Sequence, residues 1–254
     1  FSACTQLVWG MYFTYLFYSW TGLNCYWAIP FVVICMGLMA WVIFKLIVRP
    51  LIGSDDTSFI LVTLGLSYFL QNLAEFVFGA DPKSVPSDIK TASIFIGDYS
   101  IGIPRLIAFV AMIVLVLGVY LLLNKTTLGR AMRATSEKRE VAQMLGINTK
   151  KTFTIAFMIG VIFAGLSGLL ITPIYYVTPT AGSMFRTTAY IAVIIGGLGD
   201  IKGALIGGLA IGIIEALVTG MISNDLGPVG VCVALLIVLY LRPQGFFGKG
   251  ERQA

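Results

Sequence analysis

The sequence has 254 residues, of which 58% are hydrophobic and 11% are charged. A water-soluble chain of this length cannot bury so much apolar surface, so the composition excludes a soluble domain. The 17 Lys and Arg residues exceed the 12 Asp and Glu residues and give a net charge of +5. This excess fits the orientation bias of membrane loops, and it implies no nucleic-acid partner. The four cysteines show no metal-ligand spacing, and we expect no metal site.

Eight apolar segments follow one another along the chain, and most of them reach the roughly 17 to 25 residues that a helix needs to cross a membrane. They are residues 4–20, 26–48, 59–78, 106–123, 152–174, 188–199, 203–221 and 226–241. Residues 107–123 are apolar at odd and even positions alike, whereas the strands of a transmembrane barrel alternate between apolar and polar residues. The sequence therefore predicts an all-α, polytopic transmembrane helical bundle that forms a single domain over residues 1–254.

The basic residues indicate which loops face the cytoplasm. With residue 1 inside, the cytoplasmic loops are residues 45–56, 124–151, 200–202 and 242–254, and they hold 13 of the 17 basic residues. The other four are Lys83, Lys90, Arg105 and Arg186. The positive-inside rule therefore favours this orientation.

Polar residues occur within two of the predicted spans, where an ionised side chain costs about 3 kcal/mol. Gln71 and Glu75 lie four residues apart on one helix face with Asn72 beside them, and Glu215 lies in a glycine-bearing segment. We expect both acids to face the bundle interior. These four residues either line a polar solute pathway, or Glu75 belongs to a cluster near the outer surface and Glu215 makes a structural hydrogen bond.

The longest outer connection, residues 79–105, is rich in residues that interrupt helices. It carries three prolines and three aspartates: Pro82, Pro86, Pro104, Asp81, Asp88 and Asp98. This composition predicts an irregular extracytoplasmic connection. It either meets an external partner or forms a surface hairpin within residues 85–103.

A charged, helix-prone segment interrupts the apolar pattern at residues 124–151. Val141, Met144 and Leu145 fall at positions i, i+3 and i+4 and form one apolar stripe. Gly146 then predicts a helix end. A short amphipathic helix between two spans rests on lipid, forms an ordinary surface loop, or fits a groove on a partner protein.

Small residues recur every fourth position in two later segments, at Gly160, Ala164 and Gly168 and at Gly208, Gly212 and Ala216. Helices in lipid associate through close packing of small residues, so both rows predict close helix contacts. A further cluster at residues 196–203 predicts either a broken helix or a cytoplasmic hairpin. The predicted packing and hinge residues are Gly160, Gly168, Gly196, Gly197, Gly199, Gly203, Gly208 and Gly212.

Two runs in the charged segment resemble known permease motifs. Glu140-Val141-Ala142-x-x-x-Gly146 resembles the Glu-Ala-Ala-x-x-x-Gly loop by which permease subunits of ATP-binding-cassette importers engage their ATPases, with Val141 in place of one Ala. Residues 129–134 and 142–148 are similar to the permeases of branched-chain amino acid importers. By this resemblance the ATPase-coupling residues are Gly129, Arg130, Arg133, Glu137, Arg139, Glu140, Ala142, Leu145 and Gly146.

The resemblance extends in the expected order through residues 49–51, 63–67, 196–204, 207–217 and 241–245. There are departures: Lys202 stands where the family often has Pro, and Glu75 replaces an apolar residue. The helices that normally precede this region are missing, and the sequence starts with neither an initiator Met nor a basic signal region. We therefore expect that the chain begins partway through a longer protein.

The resemblance implies a permease subunit of an importer for leucine, isoleucine and valine in a bacterial or archaeal inner (plasma) membrane. It implies two ATPase subunits, a second, related permease subunit, an extracytoplasmic amino-acid-binding protein and membrane lipid as partners. The sequence has no phosphate-binding Gly-x-x-x-x-Gly-Lys-Ser/Thr motif and no His, so we expect no enzymatic activity and no cofactor bound by this chain. ATP and Mg²⁺ would be used by the ATPases. Alternatives are a permease for urea, short amides or other amino acids, an ion-coupled carrier, or a structural subunit.

Overall fold

The fold consists mainly of helices, with one short hairpin. The computed structural model describes residues 2–51, 56–85, 93–96, 99–137, 139–197, 201–221 and 226–241. The helices are α1 (Ser2–Thr21), α2 (Ile29–Ile43), α3 (Arg49–Leu51), α4 (Asp56–Phe78), α5 (Ile103–Lys125), α6 (Thr127–Glu137), α7 (Arg139–Met144), α8 (Thr149–Ile171), α9 (Ala181–Gly196), α10 (Ile201–Met221) and α11 (Gly227–Leu241). A 3₁₀ turn at Cys25–Ala28 leads into α2, and a π-helical turn at Phe44–Val48 joins α2 to α3.

Each of the eight predicted apolar segments coincides with a helix, which confirms the polytopic helical class. Five described helical stretches are long and apolar enough to cross a membrane: Cys25–Leu51, Thr57–Phe78, Ile103–Lys125, Thr149–Ile171 and Lys202–Met221. Helices α9 and α11 are shorter, with 16 and 15 residues. Helix α9 begins at Ala181 rather than at residue 188, because the polar residues at its start are also helical.

Contacts divide the chain into two compact units, Phe1–Gly182 and Ser183–Ala254. In the first unit, α1 packs along α8 and also contacts α2 and α4. Three large side chains of α1, those of Val8, Met11 and Tyr12, are fully buried. Helix α1 therefore lies at the centre of this unit. The prediction of one domain over the whole chain stays a prediction.

Glycines bring α1 and α8 into close contact. Gly10 lies against the backbone of Gly165, and Gly168 lies against the backbone of Leu7 and Met11. No side chain separates the two helices at these points, which is how helices associate closely in lipid. Of these glycines, only Gly168 is among those predicted from the sequence to pack.

A hairpin occupies part of the outer connection. Strands β1 (Ser93–Ile96) and β2 (Tyr99–Gly102) pair antiparallel, with Ser93 opposite Gly102. Before β1, the N–H of Lys83 donates to the carbonyl of Val177 at 3.0 Å, and the N–H of Val177 donates to the carbonyl of Lys83 at 2.8 Å. A hairpin is thus present within residues 85–103, as predicted. An external partner for this connection stays a prediction.

The second unit contains α10, α11 and most of α9. Its core consists of Ile191, Ile195, Ile211 and Val231. Helices α9 and α10 approach closely where Gly196 lies against Gly203 and where Gly207 lies against the carbonyl of Ala192. Gly197 follows α9 with a φ of +99°. Residues 198–200, which include Gly199, lie outside the described residues.

Candidate coupling surface and solute pathway

Helix α6, the first part of the predicted ATPase-coupling segment, is fixed to the end of α5. The hydroxyl oxygen of Thr126 accepts a hydrogen bond from the N–H of Gly129 at 3.0 Å, which caps the start of α6. Gly129 is buried against carbonyl groups at the end of α5, and a side chain would not fit there. Arg133 donates from Nη1 to Asn124 Oδ1 at 2.9 Å. These contacts set the angle between α5 and α6.

Helix α7 ends at the predicted position in a regular cap. Gly146 has a φ of +79°, a conformation that glycine adopts easily. The N–H of Gly146 donates to the carbonyl of Gln143 at 3.0 Å, and the N–H of Ile147 donates to the carbonyl of Ala142 at 3.0 Å. This pair of bonds is a Schellman motif. The prediction of a helix end at Gly146 is confirmed.

Helix α7 is also bonded to the start of α8. Gln143 Nε2 donates to the hydroxyl of Thr149 at 3.0 Å. Asn148 caps α8, since its Oδ1 accepts from the N–H of Lys151 at 3.1 Å. Thr149 and Ala142 are both buried. A displacement of α7 would therefore act directly on the start of α8, the helix that packs along α1.

The apolar stripe of α7 is exposed in the first unit. Val141 is 47% exposed, Met144 is 85% exposed and Leu145 is 74% exposed. Ala142, on the opposite side of the helix, is 1% exposed. The stripe is thus available to lipid or to another protein.

The remaining predicted coupling residues lie on the same segment. Arg130 and Glu137 of α6 and Glu140 of α7 are exposed. Arg139 begins α7, and its side chain lies outside the described residues. The structure therefore brings the predicted coupling residues into one short helical pair beside the ends of α5 and α8.

The polar residues of α4 lie on its exposed side. Glu75 and Asn72 are exposed, and Asn72 Nδ2 donates to the carbonyl of Tyr68 at 2.8 Å. Gln71 is half-buried. Within the first unit, Glu75 does not face the interior as predicted, because the buried face of α4 is the neighbouring row of Leu66, Ser67, Leu70 and Ala74. A role of Gln71, Asn72 and Glu75 in a pathway stays a prediction.

An aromatic cluster that sequence reasoning missed joins α1 to the end of α4. Trp9 Nε1 donates to the carbonyl of Leu70 at 3.1 Å. The ring of Tyr12 stacks on that of Phe78 with centroids 4.2 Å apart, and Lys83 Nζ lies 5.1 Å from the ring centroid of Tyr15. The spacing of the aromatic residues at positions 9, 12 and 13 was the available signal. The buried hydroxyl of Tyr12 has no hydrogen-bond partner among the described residues.

Glu215 lies where α10 meets α11. It is half-buried, and a Cβ added at Gly227 of α11 would lie 3.5 Å from its Cγ. Glu215 thus sits beside α11, whereas Gly212 on its own helix faces open space. Both alternatives for this acid, pathway lining and structural bonding, remain open.

The predicted packing glycines divide into two groups. Gly168, Gly196 and Gly203 take part in close helix contacts, and Gly197 lies in a turn. A Cβ added at Gly160, Gly208 or Gly212 would meet nothing within 4 Å. For these three, the predicted close contact is absent among the described residues of their own unit. The buried rows are instead Val161, Gly165 and Gly168 on α8 and Gly203, Gly207 and Ile211 on α10.

Comparisons with known proteins extend the resemblance seen in the motifs. The chain is 30% identical over 234 residues to the high-affinity branched-chain amino acid transport system permease protein LivH of Escherichia coli strain K12, covering 86% of this chain and 73% of LivH. It is 30% identical over 209 residues to the permease protein BraD of Pseudomonas aeruginosa, covering 80% and 68%. It is 31% identical over 247 residues to a probable LivH of Methanocaldococcus jannaschii, covering 89% and 76%.

The match to a family model covers nearly all of the chain. The model described as branched-chain amino acid transport system / permease component matches residues 1–241, whereas no solved structure matches the chain. Together with the five apolar helices of membrane-crossing length, these relatives place the chain in the inner membrane as a multi-pass protein. The chain belongs to the family of branched-chain amino acid transport system permease components.

Proposed function

We propose that this chain is the membrane-spanning permease subunit of an ATP-binding-cassette importer that carries branched-chain amino acids into the cell. The observation that carries the proposal is the exposed apolar stripe of α7, which is held at fixed distance from α8 by the Schellman motif and the Gln143–Thr149 hydrogen bond. A short helix presented in this way suits a groove on a partner protein. The family membership supports an ATPase subunit as that partner.

In the proposed assembly, two ATPase subunits supply the energy and a binding protein delivers solute from outside. Closure of the ATPases on ATP and Mg²⁺ pushes α7, and α7 transmits the displacement through Thr149 to α8. Because α8 packs along α1 through backbone contacts, the two helices shift together as a near-rigid body. The chain itself binds no nucleotide and catalyses no reaction.

The exposed polar face of α4 supports a second permease subunit. An acid such as Glu75 that faced hydrocarbon would cost about 3 kcal/mol, so the surface that carries Asn72 and Glu75 faces protein or water. We infer that it faces the second subunit, and that Gln71, Asn72 and Glu75 line the solute pathway between the two. Glu215 is a further pathway residue in this proposal. Its replacement by Gln should slow uptake without lowering the unfolding temperature of the complex.

The proposed solutes are the branched-chain amino acids leucine, isoleucine and valine, by similarity to the branched-chain amino acid permeases LivH and BraD. The test is uptake of labelled leucine by the complex in proteoliposomes, with its binding protein outside and ATP inside. Competition by unlabelled isoleucine and valine supports the proposal. Uptake of urea or short amides instead, or uptake that needs an ion gradient rather than ATP, contradicts it.

The coupling role is tested by Met144→Asp and by Glu140→Lys. Met144→Asp places a negative charge on the apolar stripe of α7, and Glu140→Lys reverses the charge at the start of the helix. Neither change alters a residue of the cap. The loss of a buried contact at the centre of an interface costs about 2 kcal/mol, which corresponds to roughly 30-fold weaker binding. We expect the ATPase subunits to dissociate from either variant during purification, and ATP-driven uptake to fall in proportion.

A matched control is Thr127→Asp. This residue is exposed at the start of α6, where an acidic residue is favourable, and it lies outside the α7 stripe. The control adds to the same segment the negative charge that Met144→Asp adds to the stripe, and it should retain the ATPases and normal uptake. Normal coupling in both α7 variants would overturn the proposed docking of α7, as would equal loss in the control.

A further inference from the structure

A basic pocket lies between the end of α2 and the start of α8, in the first unit of the chain. Its volume is about 400 Å³. One wall comes from the π-helical turn and the residues on either side of it, and the other comes from the first residues of α8. The lining residues are Trp41, Phe44, Lys45, Arg49, Asn148, Lys150, Lys151 and Thr154.

The charge of this basic pocket is of one sign. Four of its eight lining residues are cationic, two on each wall, and none of the described lining residues carries a carboxylate. Like charges held on two facing walls repel each other, and an anion between them relieves that repulsion. The chemistry of the pocket therefore suits an anionic group such as a phosphate, which Lys and Arg side chains bind by charge-assisted hydrogen bonds.

Aromatic side chains form the membrane side of the basic pocket. Lys45 Nζ lies 4.8 Å from the ring centroid of Trp41, and Phe44 is buried against Phe157 with ring centroids 5.8 Å apart. Trp residues concentrate at the level of lipid headgroups. The loops at this end of α2 and α8 are those that the positive-inside rule assigns to the cytoplasm. The basic pocket thus lies at the headgroup level of the cytoplasmic leaflet.

The two walls continue into apolar surface on the membrane side. Leu38 of α2 is 61% exposed and precedes Trp41 by one turn, and Ile155 of α8 is 36% exposed and follows Lys151 by one turn. A soluble phosphate would use the cations alone. A phospholipid uses both features, because its phosphate meets the cations while its acyl chains lie on the apolar side chains above them.

We propose that the basic pocket binds the headgroup phosphate of an anionic phospholipid from the cytoplasmic leaflet. Clusters of basic residues at cytoplasmic membrane surfaces recognise such lipids. The pocket shares Asn148 with the cap of α8, and the next residue, Thr149, is bonded to Gln143 of α7. The bound lipid therefore stabilises the start of α8, to which α7 is attached. This proposal rests on the membrane orientation given by the positive-inside rule, and it does not depend on which solute the importer carries.

The test uses the full transporter complex in phosphatidylcholine nanodiscs that contain a small share of phosphatidylglycerol with a photoreactive group near its phosphate. Illumination followed by peptide mass spectrometry locates the lipid. We expect labelling concentrated in the peptides that contain Lys45 and Lys150. The double variant Lys45→Gln, Lys150→Gln should bind the probe roughly 30-fold more weakly, about fivefold for each basic residue removed.

The matched control is Lys125→Gln, Lys202→Gln, which removes two exposed cytoplasmic charges outside the basic pocket. It should label as the wild type does. Labelling spread evenly over all lipid-facing peptides, or an equal loss in the control, would overturn the site. Inorganic phosphate that displaces the probe at millimolar concentration would assign the pocket to a soluble anion instead. Labelling requires neither ATP nor solute. A failure of the lipid site can therefore be distinguished from a failure of the proposed transport function.

Discussion

Two rows of small residues have the same spacing but different surroundings. On α8, Gly168 lies against the backbone of α1, whereas on α10 a Cβ added at Gly208 or Gly212 would meet no atom within 4 Å. The buried row of α10 is Gly203 and Gly207, which is rotated by about 100° from the open row. The spacing thus identifies a face on which a close contact is possible. It does not identify the partner that covers the face.

The difference has a physical origin in how helices associate in lipid. Lipid hydrocarbon is as apolar as a leucine side chain, so two helices gain nothing from removing apolar surface from water. Their association is driven by close van der Waals packing instead. A row of glycines offers that fit to any neighbour, in the same chain or in another. Within their own compact unit, Gly208 and Gly212 have no such neighbour. The second permease subunit of the proposed importer is the expected one.

The largest effect is expected for Gly168→Ala. The added methyl group would collide with the backbone of Leu7 and Met11, and backbone atoms in two packed helices cannot move aside as a flexible side chain can. We expect destabilisation of about 3 kcal/mol, at the upper end for overpacking. A fall in the midpoint of denaturant-induced unfolding measures it. An unchanged midpoint would show that α1 and α8 are not held at this distance.

The next effect is expected for the double variant Gly208→Leu, Gly212→Leu, and it should appear in assembly rather than in folding. Both positions face open space within the second unit, so the free chain should unfold within about 0.5 kcal/mol of the wild type. If a second subunit packs there, overpacking of about 1–3 kcal/mol should weaken its binding at least several-fold. Co-purification of the subunits measures this change. Normal assembly would contradict a subunit contact at the open row.

A smaller, local effect is expected for Gly146→Ala. No atom lies within 4 Å of the added Cβ, but the residue has a φ of +79°, and this conformation costs a residue other than glycine roughly 1–2 kcal/mol. The end of α7 should fray while the core stays intact. Faster hydrogen exchange confined to the amides of residues 142–147 measures it, and an unaltered exchange rate there would contradict the role of the cap.

The sequence predicted features that depend on residues close together in the chain. The eight apolar segments, the α7 stripe and the helix end at Gly146 follow from local periodicity and from the conformational freedom of one glycine. The central position of α1 could not be predicted in this way, because hydropathy indicates which segments can lie in lipid and does not indicate which of them other helices surround. Tyr12 and Met11 are fully buried there although α1 is less apolar than its neighbours.

Features that join distant parts of the chain were not accessible in the same way. The contact of Gly10 with Gly165 and the basic pocket formed by Lys45 and Lys150 each combine residues more than a hundred positions apart. Each half of such a feature looks ordinary by itself. The exposed position of Glu75 is a related case. Two neighbouring rows of α4 could each be buried, and the contact with α1 determines which of them is.

The smallest effect, and one of opposite sign, is expected for Gly160→Ala. Gly160 is exposed on α8, eight residues from Gly168, and an added methyl group meets nothing. Alanine also restricts the unfolded chain more than glycine does, so this change should stabilise α8 by about 0.5–1 kcal/mol. The same unfolding assay that detects the loss in Gly168→Ala measures the gain. Opposite signs for one substitution on one helix would establish that the neighbour, and not the spacing, determines what a glycine contributes. Destabilisation by Gly160→Ala would contradict the open surroundings of this position.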